Sequence, residues 1–324
     1  MTPFKLTVFT EPIAPVGFVE KVKSYLRPVK FSLQGKRIPA KKKYGGHYSV
    51  TRSLLEGLQK IETDHNYNPS GEKDIAENVV VLAGVERLKE IITLKKKGKI
   101  RTLVAGPNIV DDVLSEAQLV ADPSIDLYIV PSEWVKRQVT EDCAALKNRV
   151  LCWSAGINSQ FWKPEVKKEK RDKVLIYWKT EPEEFCNDVE WIVKESGRQT
   201  AVIRYGNYSI NEYKAILDQT RFAVFISRSE SQGIAMFEAW AMDVPTFVFD
   251  PGQFNFYGRT ISYVSASPYL SDVAGNKWKN LEELKNLVND ENILQRFSPR
   301  KYVLDQFTDE HCAEQLVKSI QSLK

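Results

Sequence analysis

The stretch 221–250 constrains the fold of this chain more than any other part of the sequence. Two apolar runs, Phe222–Ile226 and Thr246–Phe249, flank a polar turn that contains Gly233 and a nearly all-apolar segment that follows it. This order predicts strand, loop, helix and strand, which is the unit that builds a parallel sheet. Glu238 is the only charged residue among the apolar residues of that helix. Because such a helix is buried, its carboxylate must find hydrogen-bond partners or face a cavity.

Predicted strands and helices alternate through the whole chain. The alternation runs from Lys5 to Trp153 and restarts at Val174, and it includes a predicted helix over Val110–Leu119 and a predicted strand over Ile261–Val264. Repeated alternation of this kind is typical of doubly wound α/β domains. The last predicted element is an amphipathic helix over Glu310–Leu323.

The length of 324 residues favours two domains, since a domain usually takes about 100 to 200 residues. The segment Glu165–Lys173 is dense in charge and has little to bury, which is typical of a linker. We therefore predict Rossmann-like domains at residues 1–160 and 174–324, a linker at 161–173, and a cleft between the two domains.

The cysteines, the N-terminal residues and the lengths of the apolar runs limit the kinds of site and the cellular location that we expect. The four cysteines have no paired spacing, which argues against a zinc site or a disulfide framework and favours reduced thiols in the cytoplasm. The N-terminus predicts a first strand and does not have the pattern of a signal peptide. No apolar run approaches the about 18 residues of a membrane span.

A basic segment, residues 21–43, carries nine Lys or Arg residues and no acid. Such a segment could meet a membrane surface, a phosphorylated substrate or nucleic acid. An ordinary solvated face is the favoured interpretation, because neither aromatic interleaving nor a nucleic-acid motif accompanies the segment, and we expect no nucleic-acid partner. The predicted location is therefore cytoplasmic, with peripheral membrane contact through 21–43 as one interpretation.

The stretch SRSESQGIAMFEAWAMDVP, Ser227–Pro245, resembles the signature of retaining GT-B glycosyltransferases, in particular glycosyltransferase family 4. In that signature two glutamates lie eight positions apart across a loop and a helix start, and here they are Glu230 and Glu238. The sequence VPSEWVKRQV followed by AGINSQFWKPE is similar to the last N-domain strand and helix and the interdomain segment of the same family. The resemblance implies a GT-B architecture, with the C-terminal helix packing back on the N-domain.

The resemblance also implies roles for the residues of the donor site. Glu230 would face the transferred sugar and stabilise positive charge at it, and Glu238 would accept hydrogen bonds from the ribose hydroxyls. The helix start at Gly233 and Ile234 would offer backbone amides and a positive dipole end to the donor diphosphate. The loop that contains Gly206 would lie near the nucleotide base.

Cations and acceptor contacts are where this sequence departs from the family pattern. The family supplies an Arg and a Lys after the first C-domain strand, and here Lys179 takes the first place while the second is absent. Arg228, Arg204 and Arg259 are candidate substitutes. On the acceptor side, a histidine of the family is replaced at Asn108, and the candidates for the cleft are Gly45, Gly46, His47 and Asn108.

The predicted activity is a retaining, metal-independent transfer of a sugar from a nucleotide-diphosphate sugar to a glycan, a lipid-linked acceptor or a small molecule. No cofactor is expected, because the sequence has no Asp-X-Asp pair at a strand end and no P-loop or dinucleotide fingerprint. Two alternatives stay open. One is a nucleotide-sugar epimerase or a phosphorylase on the same fold, and the other is a nucleotide- or sugar-binding subunit without catalysis.

Overall fold

A computed structural model describes residues 4–10, 46–256, 258–290 and 292–323. The predictions for segment 21–43 and for Gly45 lie outside these ranges. The described chain forms two α/β domains, each built on a parallel sheet, as the sequence predicts. No helix in these ranges is both long enough and apolar enough to span a membrane.

The N-domain contains a parallel sheet of six strands in the order β2-β1-β3-β4-β5-β6. Its elements are β1 (Lys5–Phe9), α1 (Gly46–Lys60), β2 (Asp64–Tyr67), β3 (Asn78–Ala83), α2 (Val85–Lys96), β4 (Thr102–Asn108), β5 (Leu127–Val130), α3 (Glu133–Asp142) and β6 (Val150–Cys152). Every residue of β3 is buried. Its sequence NVVVLA is apolar almost throughout because both faces of a parallel sheet are covered by helices.

The C-domain contains a parallel sheet of five strands in the order β13-β10-β9-β7-β8. Its elements are β7 (Lys173–Trp178), α4 (Glu183–Glu195), β8 (Gln199–Arg204), α5 (Ile210–Leu217), β9 (Thr220–Ile226), α6 (Ile234–Ala241), β10 (Thr246–Phe249), β11 (Phe254–Phe256), β12 (Arg259–Ile261), β13 (Gly275–Trp278), α7 (Leu281–Asn289), α8 (Pro299–Gln306) and α9 (Asp309–Ser322). The short strands β11 and β12 form a separate antiparallel hairpin.

The strand order of the C-domain creates a crevice between β7 and β9. From β7 the chain moves outward to β8, and from β9 it moves in the opposite direction to β10. The loops that follow Trp178 and Ile226 therefore open at one place, at the carboxyl ends of two neighbouring strands. Ligands of open α/β sheets bind at such a switch point.

The last helix, α9, belongs to the C-terminal half of the sequence but packs on the N-domain, as expected from the resemblance. Its buried face, which includes Leu316 and Ile320, joins the core formed by α1 and β1. Gly57 of α1 lies so close to it that a Cβ atom there would be 2.2 Å from the backbone oxygen of Asp309. The indole of Trp153 donates a hydrogen bond of 2.8 Å to the carbonyl of Cys312. This helix ties the two domains together.

The predicted helix over Val110–Leu119 is wrong. The chain there forms bends and a short 3₁₀ turn, in which Glu116, Ala117 and Gln118 have φ between +49° and +59°. The side chain of Asp112 accepts a hydrogen bond of 2.9 Å from the amide of Leu114. Such a local side-chain bond competes with helix formation.

The predicted strand over Ile261–Val264 is also wrong. Only Ile261 belongs to a strand, at the end of β12, and the chain then turns. The fifth strand of the sheet is β13 instead. At its start a Cβ on Gly275 would lie 1.9 Å from the backbone oxygen of Thr246, so the close approach to β10 requires glycine.

Candidate functional site

A cleft of about 1220 Å³ separates the two domains. Its N-domain wall is formed by α1, the end of β4 and α3, and its C-domain wall by the loops after β7, β8 and β9 and the start of α6. Most of the predicted site residues line it together, namely Glu230, Glu238, Gly233, Ile234, Lys179, Gly206, Gly46, His47 and Asn108. Arg228 is not among the lining residues.

Glu230 is held as one half of a tight ion pair. The Nζ atom of Lys179 donates hydrogen bonds of 2.8 Å to both carboxylate oxygens. The same ammonium group lies 4.8 Å from the ring centroid of Tyr205. Both partners are largely withdrawn from water, with side-chain exposures of 24% for Lys179 and 15% for Glu230. The switch point of the sheet brings this pair together, because the two residues follow the neighbouring strands β7 and β9.

The backbone of Glu230 is fixed from both domains. Its N–H donates to the carbonyl of Ser265 at 3.0 Å. Its carbonyl accepts a hydrogen bond of 2.9 Å from the indole Nε1 of Trp134, which lies on α3 across the cleft. The hydroxyl of Ser265 in turn donates to the buried carboxylate of Asp250 at 2.8 Å. The sequence reasoning did not find Trp134, since only the folded chain brings these residues together.

Glu238 lies on the second turn of α6 and has a different environment. Its side chain is half-buried and lines the cleft, and within the described ranges no side chain or backbone group forms a hydrogen bond with its carboxylate. Burial raises the pKa of Glu238 to about 8, and the positive charge of Arg52 opposes this shift. A carboxyl group in this state is mostly protonated at neutral pH.

The start of α6 presents free backbone donors to the cleft. Gly233 precedes the helix with φ 86° and ψ 49°, a left-handed conformation that glycine adopts without strain. The first amides of a helix have no intrahelical acceptor. In the part of the chain that the structure describes, the amides of Ile234 and Ala235 have no side-chain acceptor either. The helix end is therefore suited to an anionic group.

The three arginines predicted as substitute cations do not line the cleft. The guanidinium of Arg228 forms an ion pair with Glu181 and is 53% exposed. Arg204 packs over the ring of Trp178 at 4.6 Å, and Arg259 pairs with Asp142 at 2.6 Å.

Arg52, which the sequence reasoning missed, is the arginine that lines the cleft among the described residues. It donates to Asp309 at 2.9 and 3.3 Å and to Glu56 at 2.8 Å. Asp309 is fully buried, so this ion pair also joins α1 to the last helix.

A cluster of tyrosines forms the cleft wall beside Gly206. The hydroxyls of Tyr177 and Tyr208 are 2.7 Å apart, and Tyr213 packs against both rings at 5.8 and 5.2 Å. Burial raises the pKa of each of these phenols, so all three stay neutral. The three rings are inclined to one another by 45° to 70°, and Tyr177 and Tyr213 are buried. Tyr208 is half-buried and Tyr205 is exposed, so these two rings present aromatic surface beside Gly206.

The predicted interdomain segment lies at the junction of the two domains. The amide of Gly156 donates to the hydroxyl of Ser53 at 2.6 Å, and Ile157 pairs with Thr308 in an isolated bridge. Asn158 donates to Glu56 at 2.8 Å. This contact places Asn158 beside the cleft, which it also lines.

On the N-domain wall, His47 lies in the first turn of α1, next to Gly46. Asn108 ends β4, and its Nδ2 atom is buried without a hydrogen-bond partner in the described chain. Asp111 and Gln138 line the same part of the cleft. Asp111 and Gln138 make this part of the wall polar, while the Nδ2 donor of Asn108 is buried beneath the cleft surface.

Within the described ranges, no group of three or more His, Cys, Asp or Glu residues has the arrangement of a metal site.

Comparisons with known proteins identify the fold. No family model matches the chain, and no curated protein matches it. Among solved structures, the lipopolysaccharide outer core galactosyltransferase WaaB in its apo form aligns with a TM-score of 0.57 at 11% identity, over 98% of this chain and 99% of that one. Sucrose-phosphate synthase from Thermosynechococcus elongatus aligns with a TM-score of 0.53 at 11% identity, over 98% of each chain.

The catalytic domain of starch synthase IV from Arabidopsis thaliana, bound to ADP and acarbose, aligns with a TM-score of 0.53 at 10% identity, over 99% of each chain. All three are GT-B structures, and the chain described here has the GT-B fold. Identities this low establish the architecture alone.

Proposed function

We propose that this protein is a retaining glycosyltransferase, which moves a sugar from a nucleotide-diphosphate sugar to an acceptor without a resident metal ion. The observation that carries the proposal is the position of the Lys179–Glu230 pair. It lies at the switch point of the C-domain sheet, beside the unbonded amides at the start of α6.

In the proposed reaction, the bond between the anomeric carbon and the leaving phosphate oxygen breaks. Negative charge grows on the diphosphate, where the amides of Ile234 and Ala235 and the ammonium of Lys179 stabilise it. Positive charge grows at the anomeric carbon, and the carboxylate of Glu230 stabilises it. The acceptor hydroxyl attacks from the face that the diphosphate leaves, and its proton passes to the departing phosphate oxygen.

The remaining parts of the cleft support the same assignment. We place the ribose hydroxyls at Glu238, whose carboxyl has no other partner in the described chain, and the base against Tyr205 and Tyr208. The acceptor takes the N-domain wall near His47 and Asn108. Two neighbours of the same fold are complexes with nucleotides, starch synthase IV with ADP and TarM from S. aureus with UDP.

One observation favours a binding subunit without catalysis as the second candidate. Among the described residues, two cations other than histidine line the cleft, and both are already neutralised, Lys179 by Glu230 and Arg52 by Asp309 and Glu56. A donor must therefore draw Lys179 partly away from Glu230, or depend on the helix amides alone. Both cases weaken diphosphate binding, and a subunit without catalysis does not require strong diphosphate binding.

Screening nucleotide-diphosphate sugars by thermal shift, followed by product analysis, separates the candidates. A transferase releases nucleoside diphosphate slowly from its donor, and the release continues in EDTA. A binding subunit is stabilised by the donor and releases nothing. An epimerase changes the sugar while it is still attached to the nucleotide, and a phosphorylase requires inorganic phosphate. A strict need for a divalent ion would contradict the metal-independent reaction.

Peripheral membrane contact through segment 21–43 and a cytoplasmic location stay predictions, as do family 4 membership and the domain boundaries at 160 and 174.

A further inference from the structure

We propose that Trp134, on the N-domain wall, is a positioning residue for Glu230 and makes the geometry of that carboxylate depend on contact between the two domains. The kinetic part of this inference rests on the proposed function. The structural part, a restraint on the Glu230 loop by the opposite domain, does not.

The restraint is a single directed hydrogen bond. The indole Nε1–H of Trp134 donates to the backbone carbonyl of Glu230 at 2.9 Å. The amide of the same residue donates to Ser265 within the C-domain. One peptide group of the loop is thus held by the C-domain and the next by the N-domain, and the side chain between them points to Lys179. Separation of the domains would release the carbonyl while leaving the amide bound.

The helix that carries Trp134 is itself clamped on the C-domain further along its length. The hydroxyl of Tyr263 donates to Glu141 at 2.6 Å, and the guanidinium of Arg137 lies 3.9 Å from the Tyr263 ring centroid. Arg259 at the end of the β11–β12 hairpin donates to Asp142 at 2.6 Å. These contacts involve the last turns of α3, whereas Trp134 lies in its first turn. The C-domain therefore holds α3 at both ends.

The N-domain also contacts this loop two residues further on, where Gln232 Oε1 accepts from the amide of Ala155 at 3.0 Å and its Nε2 donates to the carbonyl of Ala155 at 2.7 Å. The Trp134 bond is the interdomain contact at Glu230 itself. Residues 227–231 have no regular secondary structure. Their other hydrogen bonds are short-range or within the C-domain, such as that from the amide of Arg228 to the hydroxyl of Thr180 at 3.1 Å. A small displacement of a catalytic group lowers turnover strongly, by up to about 100-fold for 1 Å. A positioning bond of this kind should affect kcat more than donor binding.

Trp134→Phe tests the inference because it removes the N–H donor and keeps an aromatic ring. The matched control is Trp153→Phe, which removes an indole–carbonyl hydrogen bond of 2.8 Å between the N-domain and α9 and lies outside the cleft lining. Two measurements are made on the full chain: hydrogen–deuterium exchange of the peptide that covers 228–233, and steady-state kinetics with the best donor. Both variants are first compared with the parent by melting temperature.

We expect faster exchange at 228–233 in Trp134→Phe and a fall in kcat of about 10-fold, with the donor KM within about 2-fold of the parent. Trp153→Phe should leave both unchanged below its melting temperature. Unchanged exchange in Trp134→Phe would overturn the inference, whether or not turnover falls, because a turnover loss alone would mean direct contact with substrate. If the parent turns over no donor but Trp134→Phe still exchanges faster than the parent, the proposed function is wrong and the positioning restraint stands.

Discussion

The Glu230 loop and the second turn of α6, which carries Glu238, lie on the same wall of the cleft and only eight positions apart in sequence. Every polar group of Glu230 has a partner: Lys179 for the carboxylate, Ser265 for the amide and Trp134 for the carbonyl. The carboxyl of Glu238 has none among the described residues, and burial raises its pKa to about 8.

This difference shows that one short motif can build two chemically distinct carboxyl groups. The carboxylate of Glu230 is held in a fixed direction by its two hydrogen bonds to Lys179, which suits stabilisation of positive charge on a sugar. Glu238 is costly to ionise without a ligand, and hydroxyl groups of a ligand would supply the missing hydrogen bonds. The first group is arranged for a reaction and the second for binding.

The largest expected effect comes from neutralising the fixed anion. Glu230→Gln keeps the shape of the side chain but removes the charge that opposes the positive sugar, so transfer should fall about 100-fold or more. The melting temperature should stay near that of the parent, and the nucleotide affinity should not fall, because the variant releases Lys179 for the diphosphate. Unchanged turnover in a folded variant would remove Glu230 from the reacting centre.

Removing the partner of Glu230 should have the next largest effect. Lys179→Met deletes the cation that we assign to the departing diphosphate, and turnover should fall about 10-fold or more. Lys173→Met is a matched control, because Lys173 starts the same strand, β7, far from the cleft. Equal kinetic parameters for Lys179→Met and the control would show that Lys179 has no part in the reaction.

Binding should depend on the second carboxyl group instead. Glu238→Ala removes the acceptor that we assign to the ribose, and the dissociation constant for nucleotide should rise about 10-fold. Isothermal titration with UDP, GDP and ADP measures this directly. A variant that binds each nucleotide like the parent and melts normally would contradict the ribose assignment.

The smallest effect concerns stability and pH. The pKa of Glu238 is about 8 in the folded protein, against an ordinary value of 4.5. Because the folded state holds this proton more tightly, the resulting stabilisation is fully present below about pH 4.5 and is lost as the pH rises through about 8.

The side chain in Glu238→Gln is neutral at every pH. The melting temperature of this variant should therefore exceed that of the parent by an amount that grows between about pH 6 and about pH 9 and reaches about 2 °C. Exposed Glu195 on α4 supplies the control variant, Glu195→Gln, which should show no such trend. A pH-independent difference between Glu238→Gln and the parent would mean that Glu238 is ionised throughout.

Local patterns in the sequence were sufficient for much of this structure. Apolar runs and their spacing placed β3, β9 and α6, and the resemblance placed α9 on the N-domain. The errors arose where a few local bonds decide the backbone, as at Asp112, or where a strand is short and polar, as in β13.

The parts of the site that the sequence did not reveal depend on contacts between distant residues. Arg52 meets Asp309 across 257 positions, and Trp134 meets Glu230 across 96. No periodicity or spacing encodes such pairs. The charge state of Glu238 is equally hidden, because it follows from the burial of a folded helix and the distance to Arg52.

The stereochemistry of the first-formed product tests the central claim most directly. With a donor selected by thermal shift and a sugar acceptor, proton NMR during the first turnovers reports the configuration at the anomeric carbon. A retaining transferase gives the configuration of the donor, together with one nucleoside diphosphate for each sugar transferred. An inverted product, or donor binding with no release of nucleotide, would contradict it.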